Sequence, residues 1–223
     1  MGFTTHIWYL IINSFAVYFI ICYVFKKLKI QNIEGALLTK GGLQLINLKH
    51  VTGILLFGVL FFLAIPESRF LIISFEIPEL KTVFSFVLIV IISAVLSFKS
   101  VKNKLKNNNE KSPYKLNQAW IYFIVRVVFL LSYEFFFRGV LFFSVLEVSG
   151  LIIAIVCNTL LYVLIHIFDS KQEILAAIPF GIVLCLLSYN TNTIWMAFLI
   201  HTTLSVVYEF SMFKHLTFKS KVS

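Results

Sequence analysis

Three stretches, IWYLIINSFAVYFIICYVF (Ile7–Phe25), VFSFVLIVIISAVLSF (Val83–Phe98) and LIIAIVCNTLLYVLIHIF (Leu151–Phe168), are apolar on every face and almost free of charge. A helix needs about 20 such residues to cross bilayer hydrocarbon. Strand alternation is missing, and an open sheet edge cannot sit in lipid, so these runs must be helices. Composition agrees: the 223 residues are 60% hydrophobic and only 13% charged, with a mean hydropathy of +0.94, outside the range of a soluble domain. The expected fold is all-α, a polytopic transmembrane helix bundle of about seven spans. The remaining spans are placed at Val51–Pro66, Val127–Glu147, Ile174–Tyr189 and Thr193–Phe213. The first run is too long for a signal-peptide core and lacks a basic leader, so it is read as a retained span.

The net charge of +9 would suit nucleic acid, but the lysines are grouped by topology. Lys26, Lys27, Lys29, Lys40 and Lys49 follow the first span; Lys99, Lys102, Lys104, Lys106, Lys111 and Lys115 follow the third; Lys214, Lys219 and Lys221 lie in the tail. The positive-inside rule accounts for these clusters. It predicts an integral protein of the plasma membrane with its N-terminus outside and its C-terminus cytoplasmic. The expected partners are the lipid bilayer and a membrane-associated peptide or protein, with no nucleic acid. Basic loops also attract anionic lipid. The chain divides into a three-span region (1–100), a polar basic loop (101–117), a motif-bearing membrane region (118–213) and a basic tail (214–223). No internal repeat is present. Cys22, Cys157 and Cys185 fall inside apolar spans, without disulfide or CxxC spacing.

Within LLSYEFFFRGVLFF (Leu130–Phe143), Glu134 and Arg138 interrupt an otherwise apolar run. With Asn117–Arg126 along the inner interface and Arg126 snorkelling to the headgroups, Glu134 lies about 10 Å deep and Arg138 about 16 Å. On the last span Ser205 and His201 fall at roughly 12 and 18 Å. Asn158, Tyr162 and His166 form an i, i+4 stripe on the fifth span, and His201, Ser205 and Glu209 another on the seventh. Each has a plain structural reading. Glu134 and Arg138 are spaced as an intrahelical ion pair, and a membrane serine commonly bonds backbone or a neighbouring helix. Charge at a helix centre costs about 2.5–3.5 kcal/mol on the insertion scale, which makes the pair a functional candidate.

These residues resemble the CPBP intramembrane proteases, also called the Abi or CAAX prenyl endopeptidase group. YEFFFRG (Tyr133–Gly139) is similar to the family's EExxFRG motif, YVLIH (Tyr162–His166) to FxxxH, and HTTLS (His201–Ser205) to HxxxN. The resemblance spans roughly Gln118 to Phe210, with EFFFRG its most specific part. It implies a helical membrane endopeptidase without a cofactor, in which a glutamate activates water and two histidines position it and help stabilise the oxyanion.

Two positions depart from the pattern. Tyr133 replaces the family's first glutamate, its general base, and a phenol with an ordinary pKa near 10 is a poor base at neutral pH. Ser205 replaces the asparagine, retaining a hydrogen bond with shorter reach. With Tyr133 a poor base, Glu134 is expected to take over that role with His166 and His201, the two histidines being what the resemblance implies, supported by Tyr133, Arg138, Tyr162 and Ser205. The difficulty is angular, since adjacent helical residues point about 100° apart. One alternative is a non-catalytic protein of the same fold, acting as receptor, immunity protein or scaffold. Another is zinc held by Glu134, His166 and His201, since two histidines and a glutamate form an accepted catalytic set. Metal-free chemistry is what the resemblance implies.

Overall fold

A computed structural model describes residues 5–74, 78–105, 112–115 and 119–218. The described residues are helical, without a strand. Helix α1 (Thr5–Lys27) is followed by the short α2 (Ile33–Leu38), then α3 (Gly42–Ala64) and α4 (Leu80–Leu105). The stretch Trp120–Phe168 is helical except at Gly150, which divides it into α5 (120–149) and α6 (151–165), the latter closed by a 3-10 turn at His166–Phe168. Helices α7 (Lys171–Thr191) and α8 (Trp195–Phe218) complete the bundle. Six stretches are long and apolar enough to cross a membrane, and the 49-residue one is two crossings folded at Gly150, in line with seven spans. Lys106, Lys111, Lys219 and Lys221, and much of the predicted polar loop, lie outside the described residues.

Gly150 makes this hairpin possible. Its φ of 79° and ψ of 173° belong to a region essentially closed to residues with a Cβ. Beyond it α6 returns antiparallel to α5, as shown by Asn158 beside Phe137 and Tyr162 beside Tyr133. A Cβ on Gly150 would meet nothing within 4 Å, so substitution acts through backbone strain alone. Gly150→Ala is expected to cost about 1–3 kcal/mol, read as a lower unfolding temperature in detergent; an unchanged temperature would count against this turn.

The predicted second span begins too late. Helix α3 starts at Gly42 rather than Val51, and its polar residues Lys49 and His50 find partners within the fold. The Lys49 ammonium donates to the Gln31 carbonyl oxygen at 3.1 Å, and the His50 ring stacks on Phe129 with centroids 4.8 Å apart. Helix α3 then widens into a π-turn at Ile54–Val59 and approaches α5 closely at Gly58, where a Cβ would collide with Ser132. Association between apolar helices in lipid rests on packing of this kind rather than on a hydrophobic driving force.

Aromatic rings fill the interior. Phe57 stacks on Phe136 at 4.4 Å and tilts against Tyr18 at 4.7 Å, linking α1, α3 and α5. Helix α8 is the most enclosed span, with 50% of its apolar window buried against 11% for α4, which lies along its outer side. The Ser97 hydroxyl donates to the Leu204 carbonyl oxygen at 2.9 Å across that contact. At one end of the bundle Ile194 N–H and the Trp195 indole N–H donate to the carbonyl oxygens of Leu71 and Ile72. The basic segments gather at the other end, where Lys104 pairs with Glu34 at 2.6 Å and Tyr114 donates to the Thr39 carbonyl oxygen at 3.0 Å.

Candidate functional site

Helix α5 changes character at the motif. It is α-helical through Glu134, and Phe135–Leu141 forms a π-turn before the α-helix resumes at Phe142. Such bulges are rare and are frequent at functional sites. The wider turn lets the Phe137 carbonyl oxygen accept from Phe142 N–H and also from the Asn158 side-chain amide of α6. The Asn158 Oδ1 in turn accepts from the Cys185 thiol of α7 at 3.3 Å. Asn158 thus ties the π-turn to both neighbouring helices. Asn158→Ala is expected to destabilise the fold by about 1–3 kcal/mol, the cost of leaving a buried polar group unpaired. Thermal unfolding of the variant in detergent measures this loss.

Glu134 and Arg138 are completely buried, at 0% exposure each. Glu134 Oε1 lies 2.5 Å from His201 Nδ1 on α8, and its Oε2 lies 3.4 Å from Arg138 Nε. Glu134, rather than Tyr133, is therefore the residue that meets the last-span histidine through a polar contact. Tyr133 still borders the site: its ring stands edge-on to His201 at 5.9 Å and to Tyr162 at 6.0 Å, and its buried hydroxyl has no hydrogen-bond partner. The Arg138 guanidinium lies over the Tyr162 ring, 4.2 Å from its centroid. Its three nitrogens lack hydrogen-bond partners, as does Glu134 Oε2. Polar groups orphaned in this way are places that buried water or a bound polar ligand satisfies.

His166 reaches the same neighbourhood from α6. Its ring meets Tyr162 edge-on at 4.8 Å, its Nδ1 lies 2.8 Å from Asp169 Oδ2, and its Nε2 is buried without a partner. Among the described residues no three His, Cys, Asp or Glu side chains are gathered closely enough to hold a metal ion.

Ser205 lies in a different layer. It accepts from Arg126 Nη2 at 3.2 Å, and Arg126 Nε pairs with Glu209 Oε1 at 2.9 Å. Tyr122 donates its hydroxyl to Glu209 Oε2 at 2.9 Å, and His50 Nε2 lies 3.4 Å from Arg126 Nη1. The expectation that Arg126 snorkels to the headgroups is thus overturned: Trp120–Glu134 is one continuous helix, and the guanidinium turns inward to a nearly buried carboxylate. Reasoning from the sequence missed this cluster. Its only sequence signal was Glu209 continuing the polar face of His201 and Ser205.

Among the described residues are two clefts open to the outside. One, of about 300 Å³, is apolar and bordered by Leu71, Gly139, Val140 and Phe143. The other, of about 320 Å³, is polar, lies at the basic end and is bordered by Lys26, Asn32, Glu34, Lys104, Asp169 and Ser170. Neither includes Glu134 or His201.

Fold and site together define a polytopic helical membrane protein with a buried glutamate, arginine and histidine joined across two spans. Residues 115–207 match the family model described as Rce1-like, type II CAAX prenyl endopeptidase Rce1-like. The resemblance to CPBP proteins holds over this C-terminal region, which contains all three motifs. Comparison with curated proteins and with solved structures returned no match.

Proposed function

We propose that this protein is an intramembrane endopeptidase that hydrolyses a peptide bond of a membrane-associated substrate, with Glu134 as the general base. The observation that carries this reading is the 2.5 Å contact between Glu134 and His201, made by side chains 67 residues apart in a fully enclosed site. A buried acid–imidazole pair at this position is what activation of water at neutral pH requires. Glu134 Oε2, ion-paired with Arg138, and His166 Nε2 have no hydrogen-bond partner, and a water donating to the two would keep a lone pair for the scissile carbonyl. Arg138 and the Tyr133 hydroxyl are unpaired donors suited to the oxyanion that develops. Tyr133 then serves as a neutral donor, the role an ordinary phenol performs at neutral pH. Tyr162 supports the guanidinium with its ring face, and Ser205 acts one layer away by holding Arg126 to α8. No cofactor takes part. The basic end faces the cytoplasm, with the N-terminus outside and the C-terminus inside.

A second reading, a non-catalytic protein of the same fold with a receptor, immunity or scaffold role, draws on the completely buried Glu134 carboxylate, enclosed by Arg138 and His201, and on tyrosine at the family's first glutamate position. The test is a cleavage assay in proteoliposomes with fluorogenic CAAX-type peptides, farnesylated and unmodified, on wild type and Glu134→Gln. Cleavage by wild type that disappears in the variant supports the protease. Equal cleavage in both removes Glu134 as base, and a wild type inactive towards every peptide favours the second reading.

A further inference from the structure

The polar cleft at the basic end touches the proposed site through one side chain, Asp169. It borders the cleft together with Lys26 and Lys104, and its Oδ2 lies 2.8 Å from His166 Nδ1. The pair is half enclosed, with the His166 and Asp169 side chains 25% and 21% exposed. A carboxylate only accepts hydrogen bonds, so the imidazole nitrogen facing it carries the hydrogen. The two ring nitrogens lie on opposite edges of the imidazole. With Nδ1 turned to Asp169 beside the cleft, Nε2 is turned inward, where it is buried and unpartnered.

The plain account is a local contact, since the two residues are three apart in a turn already closed by Asp169 N–H donating to the His166 carbonyl oxygen at 2.9 Å. That turn needs no particular imidazole tautomer. The buried Nε2 does: a hydrogen there would add another unpaired donor beside those of Arg138 and Tyr133, whereas a lone pair supplies an acceptor that a water can bridge.

We propose that Asp169 is a positioning residue that holds His166 in the Nδ1–H tautomer, so that the Nε2 lone pair faces the buried site and orients the water that Glu134 activates. The proposal rests on the protease reading for its consequence in turnover, but the tautomer is a property of the protein at rest. The tautomer of a functional histidine is set by the hydrogen bond of its other ring nitrogen, often to a carboxylate; at metal-binding histidines the loss of such a partner costs about 10- to 100-fold, the scale expected for the same orienting role here.

The experiment is nitrogen-15 NMR of the histidine rings of the full chain in nanodiscs, with His166 assigned by its disappearance in His166→Gln. Wild type is expected to show hydrogen on Nδ1 and a bare Nε2. Asp169→Ala should move the hydrogen towards Nε2, while Asp169→Asn, whose amide oxygen still accepts, should retain the wild-type pattern. With a cleavable peptide, Asp169→Ala should lower kcat by about 10- to 100-fold with little change in KM, and Asp169→Asn should restore most of it. Hydrogen on Nε2 of wild-type His166, alone or on both nitrogens, overturns the proposal even if Asp169→Ala fails to fold. An Asp169→Ala ring that keeps its Nδ1–H tautomer overturns it as well. The tautomer result stands even where no peptide is cut, so failure of the protease reading is distinguishable from failure of this one.

Discussion

Glu134→Gln is expected to lower peptide cleavage by about 10²–10⁴-fold, the range supplied by a positioned general base, and to destabilise the protein at the same time. The two effects have separate origins. Glutamine retains the size of the side chain and an oxygen acceptor, but it removes the charge opposite Arg138, a guanidinium at 0% exposure whose nitrogens have no hydrogen-bond partner. Leaving one member of a buried pair uncompensated costs about 3–5 kcal/mol. A purely structural pair would produce the second effect alone, so the double variant Glu134→Gln/Arg138→Met is the discriminating one. Exchanging both partners for uncharged groups of similar volume leaves no buried charge uncompensated and is expected to recover most of the unfolding temperature, while cleavage stays absent. Recovery of cleavage along with stability would show that Glu134 does no chemistry.

Arg126→Met is expected to produce the largest loss of stability in the second polar layer. Arg126 meets Glu209, Ser205 and His50 through its three nitrogens, and Glu209 retains only the Tyr122 hydroxyl when the guanidinium is removed. With Glu209 at 5% exposure, the uncompensated carboxylate costs about 3–5 kcal/mol. At roughly 2–4 °C per kcal/mol for a chain of this size, the unfolding temperature should fall by about 10 °C. Arg126→Lys is expected to recover little, because an ammonium cannot reproduce the planar fork that reaches three side chains on α3 and α8 at once. Arg126→Met/Glu209→Leu should recover much of the loss. A single Arg126→Met variant as stable as wild type would mean that Glu209 is solvated in the membrane-bound protein and that the cluster is not closed.

The membrane-spanning character, the i, i+4 relation of Glu134 to Arg138 and the presence of His166 and His201 on other spans are properties of the chain read one residue at a time. Hydrocarbon accepts only helices and closed barrels, strand alternation is missing, a 20-residue apolar run is visible without partners, and helical periodicity places residues four apart on one face. Sequence spacing does not extend across the bundle. Whether Glu134 or Tyr133 reaches His201 depended on the rotation of α5 against α8, and an ideal helix placed the two neighbours about 100° apart without saying which faced inward. Tertiary packing settled it, with Glu134 on His201 and the π-turn that follows it tied to Asn158. The same limit hid the inner layer. Arg126 looked like an interfacial arginine because its sequence neighbours are apolar and its partner is 83 residues away. The sequence by itself determined that the chain crosses the membrane and that Glu134 and Arg138 lie within a span; the tertiary structure decided that Arg126 and Glu209 are enclosed as well and how all of these groups pair, because a buried charge must take the nearest complementary group that packing brings to it, and only the assembled bundle puts Glu209 before Arg126 and His201 before Glu134.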